Sequence, residues 1–187
     1  MKIPSCRTLS CLSLLLILLA APVVQAAVNL SDTPLGRRVM VDYILHFAYN
    51  LQWPVNAFAN QRAPFRVCLM GGDSLGEPLA ERFKNQRIDG RRVELEKIDL
   101  KEMLQARKCQ IVVLGAMERA SLLKALVAVE YFPVLTISDA QRFAATGGMI
   151  EFADSGGEVA LRMNKTMLEK AELKMGNSLF RLGQKPE

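Results

Sequence analysis

Apolar positions along this chain fall into two kinds of run, and the runs alternate. Thr33-Pro34 places a capping residue before a proline at the first helical position. From there to about Leu51 apolar side chains occupy nearly every face of a helical period, leaving Asp42, His46 and Asn50 as one polar stripe. A helix of that kind has to be covered over most of its surface, and Pro54 is its expected stop. Residues 65–70 form a compact apolar run leading into Gly71-Gly72, which predicts a buried strand and its turn. Ser74 with Glu77 resembles a capping box that opens a short helix to about Phe83. Residues 93–98 alternate apolar and charged side chains, as a half-exposed strand or sheet edge does. Asp99 and Glu102 open another short helix, and residues 110–114 are a second buried strand. An amphipathic helix follows over about 118–129, then a third buried strand at 134–138 and a short helical piece ending at Gly147-Gly148. Residues 149–153 and 159–163 face each other across Asp154-Ser155-Gly156-Gly157, a hairpin signal. Thr166 with Glu169 caps a last helix running to about Leu182.

Strands alternating with helices and ending in a hairpin imply an α/β sandwich. Its mixed sheet is expected to be parallel at the centre, flanked by helices, with an antiparallel part at one side.

The first 26 residues read differently. Lys2 and Arg7 precede an apolar run from Leu12 to Ala21, and Val24-Gln25-Ala26 offers small side chains at a signal-peptidase cut. This is the pattern of a secretory signal peptide, so residues 1–26 are expected to be removed and residues 27–187 to form one exported domain. Loss of Lys2 and Arg7 takes the 24 basic residues to 22, against 19 acidic ones. That mild, scattered charge, with no interleaved aromatic side chains, argues against nucleic-acid binding. Export also removes ready access to ATP and reduced nicotinamide and places the chain in an oxidising compartment. The domain keeps two of the four cysteines, Cys68 and Cys109. Cys68 lies on the first central strand and Cys109 just before the next, so neighbouring strands would bring the sulfurs within bonding reach. Two free buried thiols are the other reading.

Catalytic chemistry has little to build on. The single histidine, His46, follows Asp42 by four residues, but no serine or cysteine nucleophile can be placed beside the pair. Metal sites draw on several His, Cys or carboxylate ligands, and none is expected here. Gly71-Gly72-Asp73-Ser74-Leu75-Gly76 stands between a strand and a helix start, where backbone amides can cradle an anion. It lacks the lysine of a phosphate loop and the spacing of a dinucleotide fingerprint, and a tight turn is the simpler reading. The paired carboxylates Glu94 and Glu96 lie on a strand face that reads as solvated.

One ordered set of segments resembles a known family. Tyr43-Ile44-Leu45-His46-Phe47-Ala48 leading to Gln52-Trp53-Pro54, Phe65-Arg66-Val67-Cys68-Leu69-Met70-Gly71, Gly90-Arg91, Cys109-Gln110-Ile111-Val112, Val134-Leu135-Thr136-Ile137-Ser138, Gly147-Gly148-Met149-Ile150 and Asn164 resemble the YfiR-like family of exported bacterial proteins. The resemblance implies an α/β sandwich, often a homodimer, with Cys68 and Cys109 where a family disulfide stands. It implies a periplasmic repressor without enzymatic activity or cofactor. Such a protein binds the periplasmic sensor region of an inner-membrane diguanylate cyclase, holds it inactive, and so lowers cyclic di-GMP and biofilm formation. An outer-membrane lipoprotein can sequester the repressor.

The chain departs from the family pattern at His46-Phe47-Ala48-Tyr49-Asn50, where Asn-Phe-Ala-Lys-Phe is common, and it lacks a second cysteine pair that some members carry. The partner surface is expected to be apolar and drawn from the first and last helices, with Tyr49, Trp53, Leu179 and Phe180 as candidates; core packing is the alternative role for each. A different reading is a small-molecule-binding sensory protein, with its ligand at the carboxyl ends of the strands around Gly71-Gly72, Gly115 and Ser138.

Overall fold

Seven strands form the main sheet of the computed structural model, which grows outward in both directions from the first long strand. Residues 29–155 and 158–176 are described; the expected signal peptide, Gly156-Gly157, Leu179 and Phe180 lie outside them. In chain order the strands are β1 (Leu51–Gln52), β2 (Phe65–Met70), β3 (Arg87–Ile88), β4 (Arg91–Ile98), β5 (Ile111–Leu114), β6 (Leu135–Ser138), β7 (Ile150–Ser155), β8 (Glu158–Met163) and β9 (Lys174–Met175). The sheet runs β3-β4-β2-β5-β6-β7-β8, while β1 and β9 pair separately. Strands β4, β2, β5, β6 and β7 are parallel, and β3 and β8 are antiparallel edges. Counted in chain order, the five parallel strands stand 2-1-3-4-5, an order of doubly wound α/β sheets.

The expected α/β sandwich with a parallel centre is therefore the fold, with antiparallel pairing at both edges instead of one. The second edge comes from Asp89-Gly90. Both residues have positive φ (49° and 77°), as a two-residue hairpin turn demands, and this turn folds Arg87 back onto Arg92.

Helices α1 (Pro34–Asn50), α2 (Gly76–Phe83) and α4 (Lys165–Lys170) share a core with one face of the sheet. Helix α3 (Arg119–Val129) and the 3-10 segment Leu100–Lys108 pack on the other. The alternation of β2 shows the division: Phe65, Val67 and Leu69 point toward α1, and Cys68 and Met70 toward α3. Buried on both sides except at the half-exposed Arg66, such a strand has no continuous polar face, which is why residues 65–70 read as one apolar run. Helix α1 starts as its sequence predicts, with the Thr33 hydroxyl accepting from the Gly36 amide and Pro34 at the first position. Its side chains at Ile44, Phe47 and Ala48 are fully buried.

Four local expectations are corrected. Helix α1 ends at Asn50, four residues before Pro54, because Leu51 and Gln52 leave to pair with β9. The Ser74–Glu77 capping box does not form. Leu75 is the N-cap of α2 without a side-chain bond, and the turn is held by the Gly76 amide donating to the Asp73 carbonyl. Helix α4 is capped by the Asn164 side chain, not by Thr166. It stops at Lys170 instead of running to Leu182: Glu172 takes a positive φ of 56°, the Leu173 amide returns to the Leu168 carbonyl, and Leu173 enters the core.

Cys68 and Cys109 form a disulfide, with Cα atoms 6.1 Å apart and both residues buried. It ties β2 to the residue that leads into β5, beside it in the sheet. A second tie is polar. Glu151 on β7 is buried and accepts from the amides of Arg142 and Ala144 and from the Arg162 guanidinium at 2.7 Å. One carboxylate thus anchors the loop that crosses from β6 to β7 and the edge strand β8 together.

The disulfide closes a loop with a sequence separation of 41. Chain entropy for a loop of that size is worth about 4 kcal/mol. The C68A/C109A double variant is expected to lose roughly 2–4 kcal/mol of unfolding free energy in urea titration while keeping its far-UV circular dichroism.

Candidate binding surfaces

In an open α/β sheet, ligands sit outside the carboxyl ends of the strands where the winding reverses, here between β2 and β5. That crevice is filled by the chain itself. The Gly72 amide donates to the Ala116 carbonyl at 2.9 Å, and the Gly115 amide donates to the Met70 carbonyl. A Cβ on Gly115 would strike the Gly72 carbonyl, and one on Gly71, where φ is +90°, would strike the Met117 side chain. These glycines let two loops close on each other. Nearby, the Ser138 hydroxyl donates to the Leu114 carbonyl and accepts from the Ala140 amide. The space left beside Gly115 and Asp139 is about 200 Å³, below the range of small-molecule sites.

Asp42 and His46 do not form a catalytic pair. Asp42 accepts from the Arg82 Nε at 2.8 Å, and the exposed His46 has its main-chain carbonyl bonded by the Asn50 amide group. Glu94 and Glu96 are both paired with Arg66, and Glu94 also with Arg92, forming an ion-pair ladder across β2 and β4. Among the described residues, no three His, Cys, Asp or Glu side chains are grouped to hold a metal, and no helix is long and apolar enough to cross a membrane.

The expected partner residues separate into different environments. Tyr49 lies on the outer side of α1, 47% exposed, and its hydroxyl donates to Gln86 at 2.6 Å. Trp53 is half-buried, edge-on to Phe65 with centroids 4.9 Å apart, and its Nε1 donates to the Gln110 carbonyl. The buried Gln110 side chain in turn donates to the Ala57 carbonyl and accepts from the Arg66 amide. Trp53 therefore seats the loop after β1 against the amino ends of the strands, and its edge also lines an open groove of about 550 Å³ with Leu173 and Glu169. Leu179 and Phe180 lie outside the described residues.

Two surfaces were not legible as such in the sequence. Between α1 and α2 runs an open groove of about 510 Å³ walled by Pro34, Val41 and Pro78 and carrying Arg37, Arg38, Arg82 and Lys84. Arg37-Arg38 reads as a solvated pair until packing of α2 brings Arg82 and Lys84 to the same place. On the opposite face of the sheet, α3 exposes Leu123 (40%) and Val127 (68%), four residues apart on one stripe, and the packed 3-10 segment exposes Leu104 (61%). The inward residues Leu122, Ala125, Leu126 and Val129 already satisfy the core, so the outward aliphatic side chains are surplus to folding.

A model of the YfiR/HmsC-like family matches residues 37–184. The chain belongs to the YfiR/HmsC-like family. No curated protein matches it. The match to the YfiR/HmsC-like family takes in both cysteines, Trp53 with its Gln110 partner, every strand of the sheet and both walls of the α1/α2 groove from Arg37 onward.

Closure of the glycine loops is open to a direct check. Gly115→Ala has no room beside Gly72 and is expected to cost roughly 1–3 kcal/mol in urea unfolding, with the largest amide shift changes at residues 70–73 and 115–117.

Proposed function

We propose that this protein is a periplasmic repressor: it binds the periplasmic region of an inner-membrane diguanylate cyclase, holds the enzyme inactive, and lowers cyclic di-GMP and biofilm formation. Membership of the YfiR/HmsC-like family carries the reading. The buried Cys68–Cys109 disulfide supports an oxidising compartment such as the periplasm. The filled crevice between β2 and β5 favours a protein partner over a small-molecule ligand, because the usual ligand position is taken by the chain's own loops. Repression is differential binding: the protein prefers the inactive form of the cyclase and shifts the population toward it without turning over a substrate. Tyr49 contributes to the contact from the outer side of α1, and Trp53 holds the neighbouring loop in place. An outer-membrane lipoprotein competes for the same protein and relieves the repression.

The protein acts as a homodimer through the exposed stripe of α3. A twofold axis beside that helix brings Leu123 and Val127 of one copy against the same residues of the other, which is how an isologous interface is built.

Two measurements test these statements. Deleting the gene is expected to raise cellular cyclic di-GMP several-fold and increase biofilm, with restoration by the wild-type gene; unchanged cyclic di-GMP across growth conditions overturns the function. In sedimentation equilibrium the exported protein is expected to be dimeric at micromolar concentration and the V127E variant monomeric; a monomeric wild type overturns the pairing.

A further inference from the structure

We propose that the groove between α1 and α2 receives an acidic segment of the partner protein. The inference rests on the reading of this chain as a binding protein and adds the chemistry of what it binds. The groove holds four cations, Arg37, Arg38, Arg82 and Lys84, and two carboxylates, Asp42 and Glu81, an excess of two positive charges. Asp42 is committed to Arg82. Among the described residues, the Arg37 guanidinium donates to a neutral acceptor alone, the Ser31 carbonyl at 3.0 Å. Arg38 and Lys84 are exposed. Three cations therefore face one remaining carboxylate, Glu81.

Structural reasons for this excess are missing. Exposed charges of one sign on two packed helices repel each other, and α1 and α2 are already held together by their apolar contacts and by the Arg82–Asp42 pair. What the cluster gains is complementarity to a surface of opposite sign, which raises the rate of encounter and fixes orientation. Arginine forks suit carboxylates, which they can engage through two parallel bonds. The groove is open along its length, so it cannot bury most of a small anion's surface, but it can accommodate a continuous segment. Its apolar walls, Pro34, Val41 and Pro78, lie among the cations and match a segment in which acidic and aliphatic side chains alternate. One end is fixed by the Tyr49–Gln86 hydrogen bond, which joins the groove to the exposed side of α1.

The probe is hexaglutamate, added to the isotope-labelled protein purified from the periplasm, with hexalysine and pyrophosphate as comparisons. Hexaglutamate is expected to shift amide resonances within residues 37–42 and 79–86, to lose affinity as salt rises, and to bind roughly tenfold more weakly to R38E/K84E. Hexalysine is expected to shift none of these. The neutral variant R38Q/K84Q, with an unchanged urea midpoint, should show an intermediate loss and separates charge from damage to the fold. Shifts spread over other surfaces, or equal affinity for wild type and R38E/K84E, overturn the assignment. Tighter binding of pyrophosphate than of hexaglutamate at the same residues overturns it in favour of a small-anion site. A negative titration in a protein whose deletion still raises cyclic di-GMP removes the groove alone; unchanged cyclic di-GMP on deletion removes the repressor reading instead.

Discussion

A parallel strand covered on both faces has almost no side chain free to meet water, and β2, where only Arg66 reaches the surface, imposes that condition on the whole molecule. It is hydrogen-bonded to β4 on one side and β5 on the other, and its side chains alternate between the two cores. Helices must therefore lie above and below it. The chain crosses from β2 to β4 through α2 on one face and returns past β2 to β5 through the 3-10 segment on the other, which produces the reversal of winding beside β2. The disulfide, the paired glycine loops and the Trp53–Gln110 contact all act on this strand or on its junction with β5. The centre of the sheet is thus rigid through covalent, backbone and aromatic contacts together, and the variable surfaces are carried at a distance from it.

Much of the fold was legible because burial leaves a periodic trace. The continuous apolar runs at β2, β5 and β6, the alternation at β4 and the crowded faces of α1 each correspond to a specific covering in three dimensions. What escaped were elements whose pairing is set elsewhere in the chain. The two-residue strands β1 and β9 carry no pattern of their own; Leu51 and Met175 are strands only because each meets the other. The turn at Asp89-Gly90 carries a local signal, since Asp-Gly suits left-handed backbone, but β3 on its first side is only two residues long and has no pattern of its own. Capping at α2 and α4 was misread for a common reason. A Ser or Thr three residues before a Glu states an opportunity; Asn164 is the N-cap of α4 because β8 ends at Met163, and Leu75 that of α2 because the Asp73–Gly76 turn comes between β2 and the helix.

The surfaces were less readable than the core. The polar stripe of Asp42, His46 and Asn50 on α1 was legible from periodicity, and the commitment of Asp42 was not, because its partner Arg82 stands on another helix. The α1/α2 groove has the same origin: its four cations come from α1, from α2 and from Lys84 just past the end of α2, which only packing brings together. The exposed Leu123 and Val127 stand on the outer side of a helix expected to be amphipathic, where polar side chains would ordinarily lie. Charge and greasiness are visible along a chain, but adjacency across elements is not.

The ribbon formed by β1 and β9 sets an order of events. Its first partner leaves α1 near the beginning of the domain and its second follows α4 near the end of the described chain, so neither has a mate until both are present. In a polypeptide synthesised amino end first, Gln52 must wait for Lys174. The seam can close only once nearly the whole described chain is available, so any shorter piece of it leaves the end of α1 unfastened.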